Sequence, residues 1–213
     1  MATSIEELQA VIGQTPPTKR YTVAEFIEIA ENRPDEWLEL IDGEIVVVSK
    51  PDKKHQTHTG QIIEIFANHH QQIKALGCRI GGTNFYFDVT RELKEQAWAR
   101  GEKLQSDVCP DASINYRDYL DTDRRPPALL VVEVLSDSNR ENLERDTITK
   151  PEIYAALEIP AYWIVDRRDE SVMVYTKPSG GKYTACERFT GDQVLPAPGL
   201  EFLQITPAQI FEV

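Results

Sequence analysis

Two carboxylic acids stand where apolar residues are expected. The stretch from Ser106 to Ser136 holds two apolar segments, Val108–Ile114 and Ala128–Leu135; Asp111 follows Pro110 in the first, and Glu133 interrupts LLVVEVL in the second. A carboxylate in a buried strand is costly unless something pairs with it. If the two segments are neighbouring strands the acids face each other, and at about 4 Å they repel by roughly 4 kcal/mol at an intermediate effective dielectric. A bound cation removes that penalty, as would arginines such as Arg124, Arg125 or Arg140. Downstream, Thr149 and Glu152 have the spacing of a capping box with Pro151 just inside it, which puts Lys150 in a first helical turn. An ammonium there opposes the helix dipole, so its position needs a reason. Lys150 and Tyr154 are four residues apart and share a helix face. Asp146 joins that face only if the helix extends backward, against the steric demand of the Pro151 ring.

Other acids and imidazoles read less sharply. Glu39 lies in an alternating strand, where the pattern favours an edge-strand acid in solvent. His55 and His58 are one turn apart, and His69 and His70 follow. No third ligand is near in sequence and the pattern is not HExxH, so solvated or capping histidines are expected rather than a histidine metal site.

The elements that must position these groups are legible along the chain. Thr22 with Glu25 forms a capping box that opens the helix VAEFIEIAE, ending before Pro34. WLELIDGEIVVVS reads as two strands around the turn Asp42-Gly43. HQTHTGQIIEIFANHHQQIKALG is a helix closed by Gly77, and RIGGTNFYFDV is a strand. A polar segment, TRELKEQAWARGEKLQ, gathers Arg91, Lys94, Arg100 and Lys103 before the two acid-bearing strands. After the helix at Pro151–Leu157 come a strand at Tyr162–Val165, a turn at Arg167–Glu170, strands at Val172–Tyr175 and Tyr183–Phe189, and a short helix from Pro207. Trp163 belongs to the sheet core.

A chain of 213 residues with 41% hydrophobic and 27% charged residues describes a globular domain with a sizeable core. No run reaches the roughly 18 apolar residues of a membrane span, and no signal-peptide pattern is present, so a cytoplasmic protein with no membrane partner is expected. Three widely spaced cysteines read as reduced thiols. The net charge of −12 counts against backbone-mediated nucleic-acid binding unless a local basic patch, a metal or a second subunit intervenes.

Several short pieces together resemble the PD-(D/E)XK nuclease superfamily, and within it the Uma-type restriction endonuclease family. They are ELIDGE at Glu39–Glu44, His55-Gln56, Pro110-Asp111, VVEVLS at Val131–Ser136, the series Asp146, Lys150 and Tyr154, and YWIVD at Tyr162–Asp166. The resemblance runs from about Tyr21 to the end. It implies that Asp111 and Glu133 bind a divalent metal with the Val134 carbonyl as a third oxygen donor, and that Glu39 is the acid contributed from the N-terminal part of the fold. Lys150 would replace the motif lysine, with Tyr154 packing or hydrogen-bonding beside it and His55 and Asp146 in support. The chain departs from the usual E-x-K pattern, which would put lysine at position 135, where Leu135 stands.

The expected fold is α/β, a mixed central sheet flanked by helices with an extra C-terminal hairpin, after an N-terminal helix and linker at 1–20 and within one nuclease-like domain at 21–213. The expected function is Mg²⁺- or Mn²⁺-dependent hydrolysis of DNA phosphodiester bonds, by a homodimer. The alternatives are a non-catalytic or regulatory module that binds nucleic acid or protein on the same fold, and a metal-free interaction module that dimerises through its sheet edge.

Overall fold

A computed structural model describes residues 19–48, 51–82, 87–89, 106–118, 126–135 and 143–212. The expected N-terminal helix, the basic segment after Val89 and the candidate partners Arg124, Arg125 and Arg140 lie outside the described residues.

Helix α1 (Val23–Glu31) starts as its sequence dictates: Thr22 Oγ1 accepts from the Glu25 amide while the Glu25 carboxylate accepts from the Thr22 amide. It packs Val23 and Phe26 on Leu38 and Leu40 of strand β1 (Trp37–Ile41). β1 turns into β2 (Glu44–Val48) through Asp42 and Gly43, both at positive φ, the two-residue turn that suits strand twist. β1 also pairs with β5 (Ser106–Val108), giving a four-stranded sheet ordered β2-β1-β5-β4, with β4 at Phe87–Val89.

The second sheet has six strands, ordered β10-β9-β8-β7-β6-β3. It comprises β3 (Cys78–Gly81), β6 (Ala112–Tyr116), β7 (Ala128–Val134), β8 (Ala161–Asp166), β9 (Ser171–Ser179) and β10 (Lys182–Thr190). Among the described residues only β7 and β8 pair in parallel; the sheet is mixed as expected, and the terminal hairpin β9–β10 extends it. One face packs on helices α2 (Lys53–Asn68) and α3 (His70–Ala75) and on the C-terminal segment, which ends in α5 (Pro207–Phe211). The other face packs on α4 (Lys150–Ala156) and on Ile41 and Val108 of the four-stranded sheet. Burial on both faces explains why every residue of β7 is buried and its sequence reads as a continuous apolar run.

Four local expectations are corrected. HQTHTGQIIEIFANHHQQIKALG does not form one helix: α2 ends at Asn68 and α3 begins at His70. RIGGTNFYFDV does not form one strand: β3 and β4 lie in different sheets. Val108–Ile114 likewise divides at Cys109-Pro110, with β5 in one sheet and β6 in the other, because proline interrupts a ladder. Thr149 does not cap a helix: its backbone is helical and its side chain makes no cap bond. Arg145–Thr149 instead form a π-helical turn running into α4, closed by the Lys150 amide donating to the Arg145 carbonyl. Pro151 supplies the reason, since it has no N–H and its ring crowds the carbonyl four residues back, so a wider turn passes it more easily than an α turn.

Candidate active site

The site forms at the corner where the chain crosses from one sheet to the other. β5 ends at Val108, Cys109-Pro110-Asp111 makes the crossing, and β6 begins at Ala112. Extending the β6–β7 register by one residue beyond Ala112↔Val132 sets Asp111 opposite Glu133. Asp111 Oδ2 accepts from the Val134 amide at 2.7 Å and lies 3.1 Å from His55 Nε2. A strand residue sends its N–H and C=O out on the same edge, so the Val134 carbonyl also leaves β7 on the Asp111 side.

Glu133 sits on the face of β7 that carries Val131 and Leu135, beneath α4. Its Oε1 accepts from Lys150 Nζ at 2.7 Å and from the Tyr154 hydroxyl at 3.0 Å. Lys150 is only 2% exposed, and its ammonium also lies 3.0 Å from Glu39 Oε1 and 3.7 Å from Asp146 Oδ1. Glu39 reaches in from β1, where alternation sends Leu38 and Leu40 to α1 and Glu39 the opposite way. Its Oε1 also accepts from the Cys109 amide, 3.0 Å away. The solvent-edge reading of Glu39 is therefore wrong: β1 is an interior strand, and Glu39 is buried.

The π turn decides which side chains join α4 here. Five residues of α-helix would rotate Arg145 well away from Lys150, whereas the wider turn brings residues four and five back toward the same face. Asp146 and Arg145 thus both enter the site, with Arg145 Nε 3.1 Å from Asp146 Oδ1 and 3.7 Å from Glu39 Oε2. Arg145 carries no sequence signal of its own, because its relation to Lys150 is visible only once the π turn is known. Tyr154 both packs in the core and donates to Glu133.

His55 is buried, not solvated, and Asp52 rather than a histidine caps α2 by accepting from the His55 amide at 2.7 Å. Arg167 grips Asp52 with two nitrogens and donates to the Leu135 carbonyl, tying the start of α2 to the end of β7. His58, His69 and His70 stay apart from the acids; His58 sits edge-on to Phe211 and His69 terminates α2.

Burial pushes the Glu133 carboxyl well above its ordinary range; Lys150 pulls it back, while Asp111, Asp146 and Glu39 push it further up. Burial works against the Lys150 ammonium, but Glu133, Glu39 and Asp146 outweigh it and hold that group well above an ordinary lysine. Burial also disfavours charged His55, yet the bond to Asp111 and its charge win, and the imidazole is raised.

Three acids, Glu39, Glu133 and Asp146, thus gather around Lys150 and Arg145, while Asp111 pairs with His55. Glu39 Oε2 is buried without a hydrogen-bond donor. Among the described residues no three His, Cys, Asp or Glu side chains converge closely enough to cage a metal on their own. The available donors are two carboxylates and a backbone carbonyl. That set suits a hard divalent cation that keeps several waters. By donor chemistry alone it is the kind of set that Mg²⁺ or Mn²⁺ takes.

Replacing Arg145 by alanine leaves Glu39 Oε2 and Asp146 buried beside one cation fewer. The expected cost is about 2 kcal/mol, read as a lower midpoint in urea, since a buried charged group that loses its partner costs at least its desolvation. An unchanged midpoint would mean that the guanidinium does no electrostatic work there.

Comparison with known proteins covers the span that holds these residues. A family model described as "Putative restriction endonuclease", named Uma2, matches residues 23–208. No curated protein matches the chain. Among solved structures, the chain resembles a "putative nuclease belonging to DUF820" from Anabaena variabilis ATCC 29413. The TM-score is 0.61 at 18% identity, covering 90% of this chain and 97% of that one, a likeness of fold.

Proposed function

Since the chain belongs to the Uma2 family of restriction-endonuclease-like proteins, we propose that it is a divalent-metal-dependent endonuclease that hydrolyses DNA phosphodiester bonds at the Asp111–Glu133 corner. One observation carries the reading: Asp111, just before the Ala112↔Val132 pair, accepts from the Val134 amide beside Glu133, and a buried lysine from the following helix pairs with Glu133. Asp111, Glu133 and the Val134 carbonyl would hold Mg²⁺ or Mn²⁺, Glu133 through Oε2 because Oε1 is taken by Lys150 and Tyr154. When bound, the cation supplies Lewis-acid stabilisation of phosphoryl charge and a water of lowered pKa.

The protein's own groups do the rest. Lys150 holds Glu133 and Glu39 in place and brings fixed positive charge beside the reacting phosphate, the pre-organised electrostatics that phosphoryl transfer rewards. Tyr154 fixes the Glu133 rotamer, and His55 fixes Asp111 from the opposite side. Arg145 and Asp146 complete the charge set around Glu39. Cutting both strands takes two such corners, so a homodimer is part of the proposal, and light scattering should return twice the chain mass.

The test is nicking of supercoiled plasmid in Mg²⁺ or Mn²⁺, lost on adding a chelator and restored by excess metal. Enclosure of Lys150 by three carboxylates is the observation that favours a second reading, a non-catalytic binding module in which the cluster is structural. Calorimetric metal binding with no cleavage would select that reading over the first. Among the described residues no helix is long and apolar enough to cross a membrane.

A further inference from the structure

Asp111 and His55 form one end of an open groove of about 380 Å³, whose walls are Trp37, Pro51, Gln56, Thr59, Gly60, Ile63 and Gly82. Resting on the nuclease reading above, we propose that this groove seats one nucleobase of the strand being cut, unstacked from its neighbours, next to the scissile phosphate.

The chemistry of the walls points to that occupant. Apart from Asp111 and His55 the described residues of the groove carry no charge, which suits a base better than a phosphate, and its size lies at the low end of small-ligand clefts. Trp37 is 39% exposed at the lip, although it begins a strand whose other four residues are buried. Its indole offers the flat apolar face on which a base of any identity stacks. The Gln56 side-chain amide can both donate to and accept from a base edge. His55, Gln56, Thr59, Gly60 and Ile63 fall on one face of α2, so a single helix forms a whole wall.

Gly60 supplies an independent argument. It lies inside α2, where glycine weakens a helix relative to alanine, and no atom lies within 4 Å of where its Cβ would stand. Among the described residues no packing neighbour requires glycine there. A side chain at this position would project into open space along the groove wall, so the residue keeps the cleft clear at the expense of helix stability.

A seated base requires the strand to leave the stacked duplex, so single-stranded, frayed or mismatched DNA should bind better than an intact duplex. The experiment compares wild type, Gly60→Phe, Trp37→Ala and Gly60→Ala, using a fluorescent single-stranded oligonucleotide for binding in Ca²⁺ and for cleavage in Mn²⁺. Gly60→Phe should melt no lower than wild type yet bind at least tenfold more weakly, and Trp37→Ala should weaken binding by about the same factor. Gly60→Ala should raise the melting temperature, which shows that the position tolerates a side chain. With an abasic nucleotide walked along the oligonucleotide, one position should weaken wild type and have no further effect in Gly60→Phe. Wild-type binding and cleavage retained in folded Gly60→Phe, or equal loss at every abasic position, overturns the groove assignment while the nuclease reading stands. A wild type that neither binds nor cuts any DNA overturns both.

Discussion

Replacing Lys150 by methionine is expected to cost about 4 kcal/mol of stability, more than any other single change in the site. Lys150 is 2% exposed and its ammonium stands between Glu133 and Glu39, so its loss leaves two buried carboxyl groups near each other and Asp146. Removing one partner of a buried ion pair costs roughly 3–5 kcal/mol because the survivor must either stay charged and desolvated or take up a proton. For a chain of this size that corresponds to a drop in melting temperature on the order of 10 °C. Adding Glu133→Gln should recover part of the loss by removing the stranded charge.

The pH dependence follows from the direction of the Glu133 shift. Its folded pKa is raised above the ordinary glutamate value near 4.5, so its contribution to stability is greatest below that value and declines as pH rises toward the folded pKa. Lys150 is the main influence pulling that pKa down, and without it the carboxyl rises further. In metal-free buffer the gap between wild type and Lys150→Met should therefore be small near pH 5 and widen toward pH 8. Lys150 itself stays charged throughout, because its own folded pKa is raised and its contribution fades only above the ordinary lysine range. Equal melting temperatures across that range would mark Lys150 as a spectator.

Asp111→Asn is expected to separate activity from stability. The amide oxygen of asparagine can still accept from the Val134 amide, so the corner keeps its shape. Asp111 also pushes Glu133 upward, so removing its charge relieves repulsion, and the metal-free variant should melt at or slightly above wild type. Metal-dependent nicking should fall about a thousandfold, since a lost metal ligand forfeits on the order of 4 kcal/mol of transition-state stabilisation. The His55 resonance gives a second readout: Asp111 is what raises that imidazole, so its pKa should fall in the variant. Residual nicking at the wild-type rate would show that the activity came from elsewhere.

The two predictions concern residues that were unequally visible in the amino-acid order. Glu133 stands out because it interrupts an apolar run, and the Asp42-Gly43 hairpin and Thr22 cap follow from local chemistry alone. Glu39 does not stand out. Its burial depends on β5 pairing with β1 from 64 or more residues away, as in the bond from the Asp42 amide to Ser106, and alternation within one strand cannot reveal that. Asp146 and Lys150 were four apart in plain sight, yet Pro151 argued for a helix start between them. Buried charges pairing across the sheets outweighed that local rule, and the backbone answered with a π turn. The break between β5 and β6 did have a signal, Pro110 within an apolar run, which the alternation of its neighbours hid.

The corner between the sheets also bears on when the proposed site can first assemble. Its groups are spread along the chain from Glu39 on β1 to Lys150 on α4, so a partly synthesised chain carries scattered acids and no assembled site. A nuclease built this way would be harmless to its own cell's genome until the last of those groups has emerged and the halves have closed on each other. Its latency would be a property of its connectivity, requiring no inhibitor.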